Sequence, residues 1–156
     1  MKTHMSRMLR AMAWADTQSL AALLDCPAAH DEALGLFSHV LAAEHIWLAR
    51  LQGREPNRAG WPSLSVADCE ALAAENAAGY AAYIEKSADA GLTAVIRYRN
   101  SQGDEFANTV LDILTHVVIH GAYHRGQIAK AIGKAGGKSL NTDYIIFARA
   151  VEPISD

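Results

Sequence analysis

Cysteine is scarce in this chain, with two thiols in 156 residues, and Cys26 and Cys69 lie far apart with no CxxC spacing. That speaks against a disulfide framework and against a paired redox or metal motif. The two read as free thiols in a reducing cytoplasm. An excess of basic charge is also missing: 14 Lys+Arg against 17 Asp+Glu give a formal net charge of −3. A nucleic-acid footprint would show as a clustered basic surplus, so that class of partner is excluded. No charge-free apolar run approaches the roughly 18 residues that a membrane span requires. Arg7, Arg10 and Asp16 interrupt any apolar stretch near the amino terminus, so no signal peptide is expected. Neither an internal repeat nor a low-complexity segment is visible.

What remains is helical periodicity over most of the length. Met5, Met8, Leu9, Met12, Leu20, Leu23 and Leu24 recur at spacings of three and four, which predicts an amphipathic helix over residues 3–25. Cys26-Pro27 ends it. Asp31-Glu32 opens a second helix with negative charge at its positive end, and Gly53 closes it. Pro56, Gly60 and Pro62 mark residues 54–62 as a loop. Ser65 followed by Asp68 predicts the N-cap of a third helix, running to about Ala90 before Gly91. Its face of Ala71, Ala74, Ala77, Ala78, Ala81 and Ala82 is expected to permit close helix approach. The stretch 92–98 is β-branched and aromatic, Ser101-Gln102-Gly103-Asp104 is a turn signal, and residues 105–109 can pair back. A fourth long helix is expected over residues 108–135, ended by Gly136-Gly137, and a last short helix over 142–151. The expected architecture is all-α: one domain over residues 1–156, a four-helix bundle with a short β-hairpin between helices 3 and 4 and a short C-terminal helix.

Seven histidines are present, and three of them, His116, His120 and His124, sit on the predicted fourth helix. A four-residue step turns a helix by only about 40°, so the three rings line one face. A pair one turn apart can close on one metal ion. His116 and His124 lie about 80° and roughly 12 Å apart along the axis, so two of the three can be ligands together and the remaining one needs another role. A third ligand is expected from another helix. His39 and His45 are the candidates on the second, and a six-residue step separates them by about 240°. Leu36 and Val40 beside His39 favour it as the core-facing one, with His45 nearer the polar side. His4 and His30, at element ends, read as ordinary surface or satisfied groups.

The run His116-Val-Val-Ile-His120-Gly-Ala-Tyr-His124-Arg125-Gly126-Gln127-Ile128 resembles the HxxxHxxxHRGQI signature of the DinB/YfiT-like family. Trp14-Ala15-Asp16 is similar to that family's first-helix Trp-Ala-Asn element. The segment from Ser38 to Leu48, the stretch from Tyr98 to Glu105 and the closing Asp143-Tyr144 also match in order. The resemblance spans essentially the whole chain and implies a four-helix bundle with a metal held by His39, His120 and His124. Asp16 departs from the family's frequent asparagine, which touches local hydrogen bonding and not the metal ligands.

Three neutral nitrogen ligands leave a coordination position open, a mark of catalytic zinc sites. The implied cofactor is one divalent transition metal, with zinc or nickel leading and iron or copper as the others. Ligating rings are expected to offer their second nitrogen to an acceptor, for which His116, Asp112 and Gln127 lie on the same helical face. The expected activity is that of a metal-dependent enzyme acting on small molecules, a thiol S-transferase or a hydrolase. The alternative is a non-catalytic, stress- or damage-related metal-binding protein. The resemblance also implies a homodimer. A small-molecule substrate or thiol cosubstrate is the expected partner, with neither nucleic acid nor membrane involved.

Overall fold

A computed structural model describes residues 1–100, 102–138 and 140–153. Ser101 of the expected turn, Ser139 and residues 154–156 lie outside the described residues. Four long helices, α1 (Lys2–Asp25), α2 (His30–Leu51), α3 (Val66–Lys86) and α4 (Val110–Lys134), form the bundle. An antiparallel hairpin of β1 (Val95–Arg99) and β2 (Glu105–Thr109) separates α3 from α4, and α5 (Tyr144–Ala150) closes the chain. Helix α2 packs on both α3 and α4, and α1 packs on the same two helices from the other side. Helices α1 and α2 therefore sit diagonally.

Local chemistry sets most of the boundaries. Ser65 and Asp68 form a reciprocal capping box at the start of α3, and Thr109 and Asp112 form a second one at the start of α4. Gly53 and Gly136 follow α2 and α4 with φ of +67° and +78°, a conformation that costs glycine little. Two boundaries differ from the sequence expectation. Helix α3 stops at Lys86 and not near Ala90, because Ser87 turns extended and its hydroxyl donates to the Tyr83 carbonyl at 2.8 Å. Residues 89–93 form a 3-10 turn that buries Leu92, so the first strand begins at Val95. Asn108 is the strand partner of Ile96, which delays α4 to Val110.

The alanine face of α3 is not its packing face. Cys69, Leu72, Asn76, Tyr80 and Ile84 are buried, whereas Ala71, Ala74, Ala78, Ala81 and Ala82 are exposed. Close approach occurs at Gly79 instead, where a Cβ would collide with Leu48 on α2.

The core is divided in two. One apolar cluster gathers Met5, Leu9, Met12, Leu48, Tyr80 and Leu114, and the other gathers Leu23, Phe37, Leu41, Leu72, Ile128 and Ile132. A buried polar group draws on all four long helices, with Asp16 from α1, Glu44 from α2, Asn76 from α3 and Arg125 from α4. Among the described residues, no helix is long and apolar enough to cross a membrane.

Candidate metal centre

Helices α2 and α4 bring His39, His120 and His124 together, with one ring nitrogen of each within 4.8 Å of the others. The one-turn spacing of His120 and His124 sets their ring centroids 4.5 Å apart. His39 enters from α2, edge-on to both, at 5.1 and 4.8 Å. Its Nε2 lies 3.3 Å from Nε2 of His120. Two nitrogens bound at 2.0–2.1 Å to a tetrahedral ion stand about 3.3–3.4 Å apart, so this pair already has the separation such an ion requires.

The outward nitrogens are oriented by hydrogen bonds. Nδ1 of His39 lies 2.5 Å from the Gly60 carbonyl, which can only accept, so that nitrogen carries the proton. Nδ1 of His124 lies 2.9 Å from Oε1 of Gln127 and donates to it. Both rings are thereby fixed in the tautomer that turns an Nε2 lone pair toward the cluster. Burial, opposed by the Gly60 hydrogen bond, lowers the His39 pKa. For His120, burial and then the neighbouring histidines bring it down to about 4. These imidazoles are neutral at pH 7 and present lone pairs without charge. The donor set is all nitrogen and fits a borderline divalent ion.

Trp61, from the loop between α2 and α3, stacks on His39 at 3.7 Å with the planes 7° apart. The indole is 64 % exposed, yet it shields one face of the ring. Tyr123, also exposed, stands edge-on to His124 at 5.1 Å.

The other candidates separate cleanly. His45 is buried, against the expectation of a polar-side position, but away from the cluster: Nε2 meets Asn57 Oδ1 at 3.1 Å and Nδ1 lies 3.6 Å from Glu75. His116 sits a turn before His120, its centroid 5.3 Å away and its edge on Trp47. Asp112 is used up by the Thr109 capping box. Of the three proposed acceptors, Gln127 fills the role. Gly60 was not legible as the other one, because it is a backbone carbonyl 21 residues from the ring it holds.

The polar layer lies directly behind the cluster in sequence. Arg125 follows His124 and donates from Nη1 to Asp16 Oδ1 at 2.7 Å, both groups being buried. Gly121 leaves the space for this, since a Cβ there would stand 2.7 Å from the Arg125 guanidinium. Glu44 lies 4.0 Å from the same Nη1 and accepts from the Asn76 amide at 3.2 Å, while Tyr80 donates to the Glu44 carbonyl at 2.8 Å. Two carboxyls face one guanidinium. Burial raises the pKa of both carboxyls; Arg125 opposes this at Asp16, whereas Asp16 reinforces it at Glu44 and drives that group well above the usual carboxyl range, so Glu44 is the one that retains a proton.

A helical bundle whose second and fourth helices converge three imidazoles defines the class of protein. The DinB family profile matches residues 1–154, and the chain belongs to that family. It is also similar to the protein named DinB of Bacillus subtilis (strain 168), at 38 % identity over 52 residues, covering 33 % of this chain and 30 % of that protein. No solved structure matches the chain.

Proposed function

We propose that this chain is a metal-dependent enzyme that acts on small molecules at one divalent ion held by His39, His120 and His124. The reading is carried by the 3.3 Å approach of two Nε2 atoms, with the outward nitrogen of His39 held by the Gly60 carbonyl. Zinc or nickel is the ion proposed, with iron and copper as the others, since imidazole ligands suit all four. When bound, the ion would supply Lewis acidity to a substrate donor atom. The chain's own part is positional. Gly60 and Gln127 hold the rings, Trp61 keeps water from one face of His39, and three ligands leave room for a substrate. Thiol S-transfer and hydrolysis are the reaction classes that such an open centre serves. Both cysteines are free and buried, which fits a cytoplasmic, reducing setting. Exposed Met1, Ile119 and Tyr123 support a homodimer packed through α1 and α4.

The test is elemental analysis of the purified protein, followed by a screen of the metal-loaded form with several thiols and an electrophile, and with ester and amide substrates. About one ion per chain and turnover lost on chelation are expected. A chain that takes up no divalent ion would overturn the reading.

A further inference from the structure

We infer that the groove between α2 and α4, running on from the histidine cluster, binds a small organic anion with a flat apolar body. This names a substrate class for the proposed metal centre and rests on that reading for the reacting end alone. The groove is open to solvent, has a volume of about 470 Å³, and is lined by Glu32, Gly35, Leu36, Trp61, Gln127 and Lys130. Two of these residues touch the cluster itself. Trp61 stacks on His39, and Gln127 accepts the hydrogen bond from His124. A molecule in the groove therefore lies against the walls of the candidate metal centre.

The lining selects by shape and by charge. Leu36 and the exposed indole of Trp61 offer apolar surface, and Gly35 leaves space, since a Cβ built there meets nothing within 4 Å. With Gln127 Oε1 accepting from His124, the NH₂ group of the same side chain can donate to a ligand. The Glu32 carboxylate is paired with Lys134 at 3.5 Å. Lys130 has no ion-pair partner among the described residues. Lys130 is thus the charge of the lining left without an ion pair, and it calls for an anion. A carboxylate on Lys130, joined by a short arm to an aromatic ring, sets that ring against Leu36 and Trp61, beside the candidate metal centre.

The probe is 3-phenylpropionate, titrated calorimetrically into zinc-loaded and chelator-treated protein, with 3-phenylpropylamine and 3-phenylpropan-1-ol as cationic and neutral controls. The acid should bind more tightly than either control. Lys130→Gln should weaken it about fivefold, the upper range for a partly exposed ion pair, while Lys130→Arg retains it. Zinc per chain should be unchanged in Lys130→Gln. Equal binding of the amine, or an affinity indifferent to Lys130→Gln, would place the carboxylate elsewhere and overturn the inference. Acid binding that depends on Lys130 in a chain that takes up no zinc would sink the metal reading and leave the groove standing.

Discussion

Arg125 reaches from α4 across the bundle to Asp16 on α1, Nη1 to Oδ1 at 2.7 Å, over 109 residues of sequence. The pair is buried, so its halves are unequal to lose. Arg125→Met should leave Asp16 as an uncompensated interior charge and cost about 3–5 kcal/mol of stability. Urea unfolding measures this, and a loss below about 1 kcal/mol would mean that Asp16 is neutral.

The proton on Glu44 has its own signature. A carboxyl whose folded pKa is raised stabilises most below its unfolded pKa, and that stability is lost as pH rises toward the folded value. The contribution of Glu44 to the urea midpoint should therefore fall as pH rises above the unfolded carboxyl value of about 4.3. Glu44→Gln should flatten the slope, and an equal slope in the two proteins would remove the proton from Glu44.

Histidine acts in the opposite direction. Burial lowers the pKa of His120 to about 4 and also lowers those of His39 and His116. The unfolded chain, with histidines near 6.5, binds more protons between pH 4 and 6.5. Metal-free protein should gain stability as pH rises through that interval, and His120→Gln should reduce the gain. Thermal melts at stepped pH are the check.

Metal binding should follow the geometry residue by residue. His39→Ala, His120→Ala and His124→Ala should each abolish it, and His45→Ala should not. Gln127→Ala should leave the ligands in place and lower affinity about 10- to 100-fold, through loss of ring orientation. Competition with a coloured chelator reads both effects. A His120→Ala protein that retains a full complement of metal would refute the assignment.

Dimerisation, if it runs through α1 and α4, should survive chelation, because all three candidate ligands belong to one chain. Ile119 is 63 % exposed, so Ile119→Lys should spare the fold and give monomers in sedimentation. A wild type that is monomeric with and without chelator would remove the dimer.

Much of this was legible in the sequence, for identifiable reasons. The long helices follow from 3.6-residue periodicity and from stops such as Gly53 and Gly136. The HxxxH pair follows from one turn of helix. His45 reads as a polar-side residue because its neighbour Glu44 reads as a surface one, whereas both are buried, Glu44 beside Asn76 and Arg125. Helix α3 ends four residues early because nothing in Lys86–Ala90 forbids helix by composition alone; the stop depends on Ser87 and the packing of Leu92. The Arg125–Asp16 pair and the grip of Gly60 on His39 join distant segments, and no local pattern encodes them.

Gly60 and Trp61 belong to a connecting loop, the kind of segment in which proteins ordinarily tolerate insertion and drift. Here the loop is pinned to α2 at two places, through Gly60 on His39 and Asn57 on His45. Its length is thereby tied to the reach between those two histidines. A residue added or deleted between Asn57 and Trp61 should be felt at His39, so the segment that looks freest to vary is bound to the chemistry it borders.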